Sequence, residues 1–132
     1  MLPKSLAFVD VETTGLSPFR NRIIEIAIVR VDDGAVTTTY ESLVNPEQYI
    51  PPEITMLTGI TADQLENAPT FSSLRATIRE LLDGAMFVAH NARFDLSFIR
   101  SEFARFDESF RAKTLCTAKL SRRLFPTAKR HN

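Results

Sequence analysis

The sequence predicts a single α/β domain: a mixed sheet, antiparallel across its first three strands and extended by a parallel strand, flanked by helices. Three observations point there. Two β-branched runs, Ile23 to Val31 and Val36 to Val44, are joined by Asp33-Gly34, a strong hairpin signal. Phe71, Leu74, Ile78, Leu81 and Leu82 repeat at helical spacing. A short apolar run, Met86 to Ala89, then leads directly into a second helical pattern.

Each element has its local reason. Leu6 to Glu12 reads as the first strand, stopped by Thr13-Thr14-Gly15 and Ser17-Pro18. Residues 45–70 form a connection punctuated by Asn45-Pro46 and Pro51-Pro52, with one helical turn over Glu53 to Leu57 and another capped by Thr61. Thr70 caps the helix that Gly84 ends. Asn91 is the natural N-cap of a helix through Phe94, Phe98, Ile99 and Phe103. Thr114 to Thr117 suggests a short strand, and Ala118 to Leu124 a helix stopped by Pro126.

The chain has 132 residues, of which 44% are hydrophobic and 24% charged, a composition that excludes disorder. No apolar run approaches the ~20 residues that span a bilayer, so no membrane partner is expected. Cys116 is the single cysteine, which excludes an internal disulfide and fits a reduced, cytoplasmic setting. Sixteen basic residues balance sixteen acidic ones, yet residues 109–132 hold Arg111, Lys113, Lys119, Arg122, Arg123, Lys129 and Arg130 and no acid. Such a segment suits either phosphate contact or a solvated helix face.

The chemistry concentrates in carboxylates. Side chains alternate along a strand, so Asp10 and Glu12 share one face while Val9 and Val11 share the other. Paired carboxylates beside apolar strand residues are costly unless a cation or donors compensate, and Mg²⁺ favours such oxygen ligands. Asp95 falls in the first turn of the helix behind Met86 to Ala89, where the helix terminus favours its ionised form. If it converges on Asp10 and Glu12, the three form a metal cluster. Alone, each is an ordinary strand-end or helix-start acid.

Phe8-Val9-Asp10-Val11-Glu12-Thr13-Thr14-Gly15-Leu16 and His90-Asn91-Ala92-Arg93-Phe94-Asp95 resemble the first two motifs of the DEDDh exonuclease family, which includes the proofreading epsilon subunit of bacterial DNA polymerase III. Leu57-Thr58-Gly59-Ile60-Thr61 resembles a segment between those motifs. The resemblance implies a ribonuclease H-like fold and hydrolysis of phosphodiesters at 3′ ends of DNA, in proofreading or repair. It implies two Mg²⁺ or Mn²⁺ ions, with Asp10, Glu12 and Asp95 as catalytic, metal-binding acids. The partners implied are a single-stranded or frayed DNA 3′ end and a polymerase catalytic subunit. Thr13, Thr14, Gly15, Leu16, Thr58, Asn91 and Phe94 become substrate-binding candidates, with Leu16 wedged against the terminal base. Thr13 serves a tight turn equally well, Asn91 its cap, Phe94 and Phe98 the core, and His90 a structural role.

The family's third motif brings a general-base histidine and a fourth metal-binding aspartate, and neither is found in residues 1–132. Lys129-Arg130-His131-Asn132 resembles the opening of the helix that precedes that motif. The reading is therefore one exonuclease domain over 1–132, incomplete at its C-terminus and of little activity by itself. Trimming of RNA ends, or a non-catalytic module binding nucleic acid or polymerase, are the alternatives.

Overall fold

In a computed structural model the described residues are 3–119. Nine elements follow in order: β1 (Ser5–Thr13), β2 (Ile23–Asp32), β3 (Ala35–Leu43), α1 (Pro52–Thr58), α2 (Ala62–Glu66), α3 (Phe71–Leu82), β4 (Met86–Ala89), α4 (Ala92–Ala104) and β5 (Thr114–Cys116). They build one five-stranded sheet in the order β3-β2-β1-β4-β5, antiparallel from β3 to β1 and parallel from β1 to β5. This is the mixed sheet the sequence predicts.

Local chemistry accounts for the joints. Asp33 and Gly34 both take positive φ, 51° and 80°, the pair of values that a two-residue hairpin matched to strand twist requires. Thr61 and Gln64 complete a reciprocal capping box at α2. The Thr70 hydroxyl accepts the Ser73 amide at the start of α3. The turn expected near residue 53 is longer than one turn, because Pro52 opens α1 and Gly59, at φ 77°, closes it. No described helix is long and apolar enough to cross a membrane. The helix expected over 118–124, the basic residues from Arg122 onward and the resemblance drawn at 129–132 lie largely or wholly outside the described residues.

Packing assigns the sheet a dry face. Ala7, Val9 and Val11 of β1 and Ile26 and Ile28 of β2 meet Phe71, Ile78 and Leu82 of α3 and Phe98, Ile99 and Phe103 of α4. The rings of Phe71 and Phe103 meet edge to face at 5.4 Å. Truncating a fully buried Phe such as Phe98 to Ala costs about 3–5 kcal/mol. The alternate residues of β1 point the other way. Phe8, 42% exposed, lies on that face in line with Asp10 and Glu12.

The topology sets the site. β1 and β4 run parallel with Phe8 level with Val88, so both strands end at the same edge. Asp10 and Glu12 close β1 there, and α4 begins three residues after β4 ends.

Candidate active site

Asp95 is the buried member of the acid group, only 6% exposed in the first turn of α4. Burial, then Asp10 and then Glu12, pushes its carboxyl up to about 7. No hydrogen bond from the described residues reaches that carboxylate. Glu12 is also pushed up, by burial first and then by Asp10 and Glu25. The three acids named from the sequence are thus electrostatic neighbours. Even so, among the described residues no three His, Cys, Asp or Glu side chains are drawn together closely enough to hold a metal ion as they stand.

The donor chemistry fits a hard divalent cation. All three side chains offer carboxylate oxygens, and Asp95, a largely buried residue that accepts no hydrogen bond from the described residues, is one whose charge a cation would stabilise. Asp10, Glu12 and Asp95 are the residues that could hold it.

The loop after β1 is wired to the scaffold. The Thr14 amide donates to the Arg22 carbonyl at 2.9 Å, and the Thr14 hydroxyl accepts the Arg22 amide at 3.0 Å and donates to Gln48 at 2.5 Å. The Thr13 hydroxyl donates to the Gly15 carbonyl at 2.6 Å and is spent on the turn. A Cβ on Gly15 would come within 2.5 Å of the Asn21 side chain, so a larger residue there would have to displace Asn21 from the Ser17 amide it accepts at 3.0 Å. Between these anchors Leu16 stands 85% exposed, an apolar side chain with no core to enter.

The remaining candidates divide. Asn91 occupies the N-cap position of α4, yet its side chain makes no capping hydrogen bond; its φ of −132° and ψ of 72° lie off the usual extended cap, which corrects the capping role expected from the sequence. Phe94 is partly buried against the core, its ring 4.8 Å from that of Phe98. The Thr58 hydroxyl donates to the Ile54 carbonyl at 2.8 Å. His90 Nδ1 lies 2.9 Å from the Thr117 hydroxyl, a structural contact.

Two features escape the sequence reading. Glu25 stands directly opposite Glu12 in the β1–β2 register, its carboxyl raised by burial, Glu41 and Asp10. A lone charge within Ile23-Ile24-Glu25-Ile26 was the available signal. Glu102 of α4 is 1% exposed and held by Arg22, whose Nη2 and Nε donate at 2.7 and 3.0 Å, and by the Ile23 amide at 3.1 Å. That pair ties the end of the β1–β2 loop to α4. Nothing local in the sequence marks it.

Comparison with known proteins gives concordant results. The RNase_T exonuclease family profile matches residues 7–132. The 3′-5′ exonuclease DinG of Bacillus subtilis (strain 168) is 41% identical over 120 residues, covering 89% of this chain and 13% of that protein. A PolC-type DNA polymerase III of Caldanaerobacter subterraneus is 38% identical over 122 residues, covering 92% of this chain and 9% of that protein. The chain spans about a tenth of the length of these curated relatives. Exonuclease X, solved in complex with 5′ overhanging duplex DNA, superposes with a TM-score of 0.73 at 31% identity over 94% of this chain and 66% of that one. Product-bound exonuclease I shares the fold, with a TM-score of 0.82 at 21% identity over 96% of this chain and 33% of that one.

Proposed function

This chain belongs to the RNase_T exonuclease family, and from that premise we propose that it is a metal-dependent 3′–5′ exonuclease domain acting on DNA. The observation that carries the reading is Asp95, buried without a donor at the sheet edge where Asp10 and Glu12 end β1. Asp10, Glu12 and Asp95 would hold Mg²⁺ or Mn²⁺, up to two ions. When bound, the ions supply positive charge to the scissile phosphate and the departing 3′ oxygen.

The other residues position the strand. Leu16, exposed on a loop pinned by Arg22, Gln48 and the Gly15 turn, stacks against the terminal base. Thr14 and Gly15 bring backbone close to that nucleotide. Asn91, with no capping bond to make, is free to reach the substrate, and Phe94 and Thr58 border it. Water adds its oxygen to phosphorus and gives up a proton to solvent, and the P–O3′ bond breaks. The 3′ oxygen stays on the shortened strand and takes up a proton, and a 5′-mononucleotide leaves. No residue of 1–132 is given the general-base role.

DNA as substrate, proofreading or repair as setting and a polymerase catalytic subunit as partner belong to the same proposal, which the names of the PolC-type and DinG relatives support. A cytoplasmic location is proposed on the single cysteine, Cys116. The test is calorimetric titration with Mn²⁺ and a 5′-mononucleotide. The parent should bind the nucleotide only with metal, and Asp10→Ala and Asp95→Ala should each lose most of that binding. Metal-independent binding, unchanged in both variants, would remove the reading. With a histidine base and a fourth carboxylate supplied, a 5′-labelled oligonucleotide should shorten from its 3′ end, and Glu12→Ala should stop it.

A further inference from the structure

The β1–β2 loop carries a second exposed apolar side chain. Phe19, three residues beyond Leu16, is 88% exposed. Beside it an open groove of about 870 Å³ follows the outer side of α4, lined among others by Phe19, Ser97, Arg100, Arg105 and Arg111. The loop that presents Phe19 is fastened: the Ser101 hydroxyl of α4 donates to the Pro18 carbonyl at 2.5 Å, and Arg22 binds Glu102 just beyond.

The groove's lining is net positive. Three guanidiniums face two acids, Asp107 and Glu108. Glu108 is turned to Arg75, 3.5 Å away and outside the groove lining. Glu102, 3.9 Å from Arg105, is already held by Arg22 at 2.7 Å. Arg100 and Arg111 make no ion pair among the described residues. An exposed aromatic ring beside uncompensated guanidiniums is the arrangement that receives a single strand: bases stack on the ring, and phosphates take the cations.

We propose that this groove holds the single-stranded segment leading 5′ from the terminal nucleotide, with Phe19 stacking a base and Arg100 and Arg111 taking phosphates. The proposal rests on the active-site reading in one respect, that Leu16 meets the terminal base. It also gives a role to Arg111, the first basic residue of the segment 109–132.

The test is fluorescence anisotropy with the whole chain and 5′-fluorescein oligothymidylates whose 3′-terminal linkage is a phosphorothioate, across a salt series. A strand of roughly eight nucleotides should bind more tightly than a dinucleotide. Arg100→Glu with Arg111→Glu should weaken the longer strand at least about tenfold and lower its salt slope by roughly 0.7 for each phosphate contact removed. Phe19→Ala should weaken it roughly tenfold with the slope unchanged. Neither variant should alter metal-dependent mononucleotide binding. Equal affinity for both lengths, or a longer-strand affinity and slope untouched by charge reversal, would overturn the groove. Loss of the Asp10→Ala effect on mononucleotide binding would instead overturn the active-site reading, and the length series would still judge the groove.

Discussion

Two carboxylates, Asp95 and Glu102, lie on the buried face of α4 two turns apart, and they have opposite fates. Glu102 accepts a bidentate guanidinium and a backbone amide, so every cost of its burial is met. Asp95 accepts nothing from the described residues and faces two further acids. The same helix face therefore holds one acid that fastens a loop and one that faces two further acids. A buried charge that the fold satisfies is structural; one left unsatisfied by the fold awaits something from outside.

The contrast breaks most readily at its satisfied end. Glu102→Ala should cost about 3–5 kcal/mol in urea unfolding, because it strands a buried Arg22 and the Ile23 amide. Arg22→Ala should cost a similar amount, and the double variant less than the sum of the two. Additive losses would show that Arg22 and Glu102 are not a coupled staple.

At the unsatisfied end the largest signal is pH. The Asp95 carboxyl lies at about 7 in the folded chain against an ordinary 3.8, so the folded state binds its proton more tightly than the unfolded state does. The resulting stability is full below pH 3.8 and drains away as pH rises through about 7. Without divalent metal, the parent should lose up to about 4 kcal/mol over that window relative to Asp95→Asn, which lacks the titration. Parallel stability profiles for the two would refute the burial and repulsion assigned to Asp95.

Metal supplies the third and smaller effect. Mg²⁺ or Mn²⁺ at roughly a hundred times its dissociation constant should stabilise the parent by about 2.7 kcal/mol, read as a higher melting temperature. Asp10→Ala and Asp95→Ala should abolish the gain, whereas Arg105→Ala should keep it. Arg105 also gives the smallest prediction. Its contact with Glu102 is long, at 3.9 Å, and partly exposed, so Arg105→Ala should change stability by less than about 0.5 kcal/mol. A larger loss would mean that Arg22 is not the main neutraliser of Glu102.

Much of the molecule was legible before any coordinates. Period-two alternation put Asp10 and Glu12 on one face of β1, Asp33-Gly34 set the hairpin, and Thr61 and Thr70 announced their helices, because each depends on neighbours within a few residues. The Asn91 cap misled for a related reason. A capping side chain works only with suitable backbone dihedrals, and the turn from β4 into α4 imposes others. Sequence alone also named Asp10, Glu12 and Asp95, which the fold makes electrostatic neighbours. Tertiary structure decided which acids are costly: Glu102 meets Arg22 across 80 residues of chain, and Glu25 meets Glu12 only through strand register. Whether a charge is met by a partner or left facing its own kind depends on which distant segments the fold brings together, and local pattern carries no record of that.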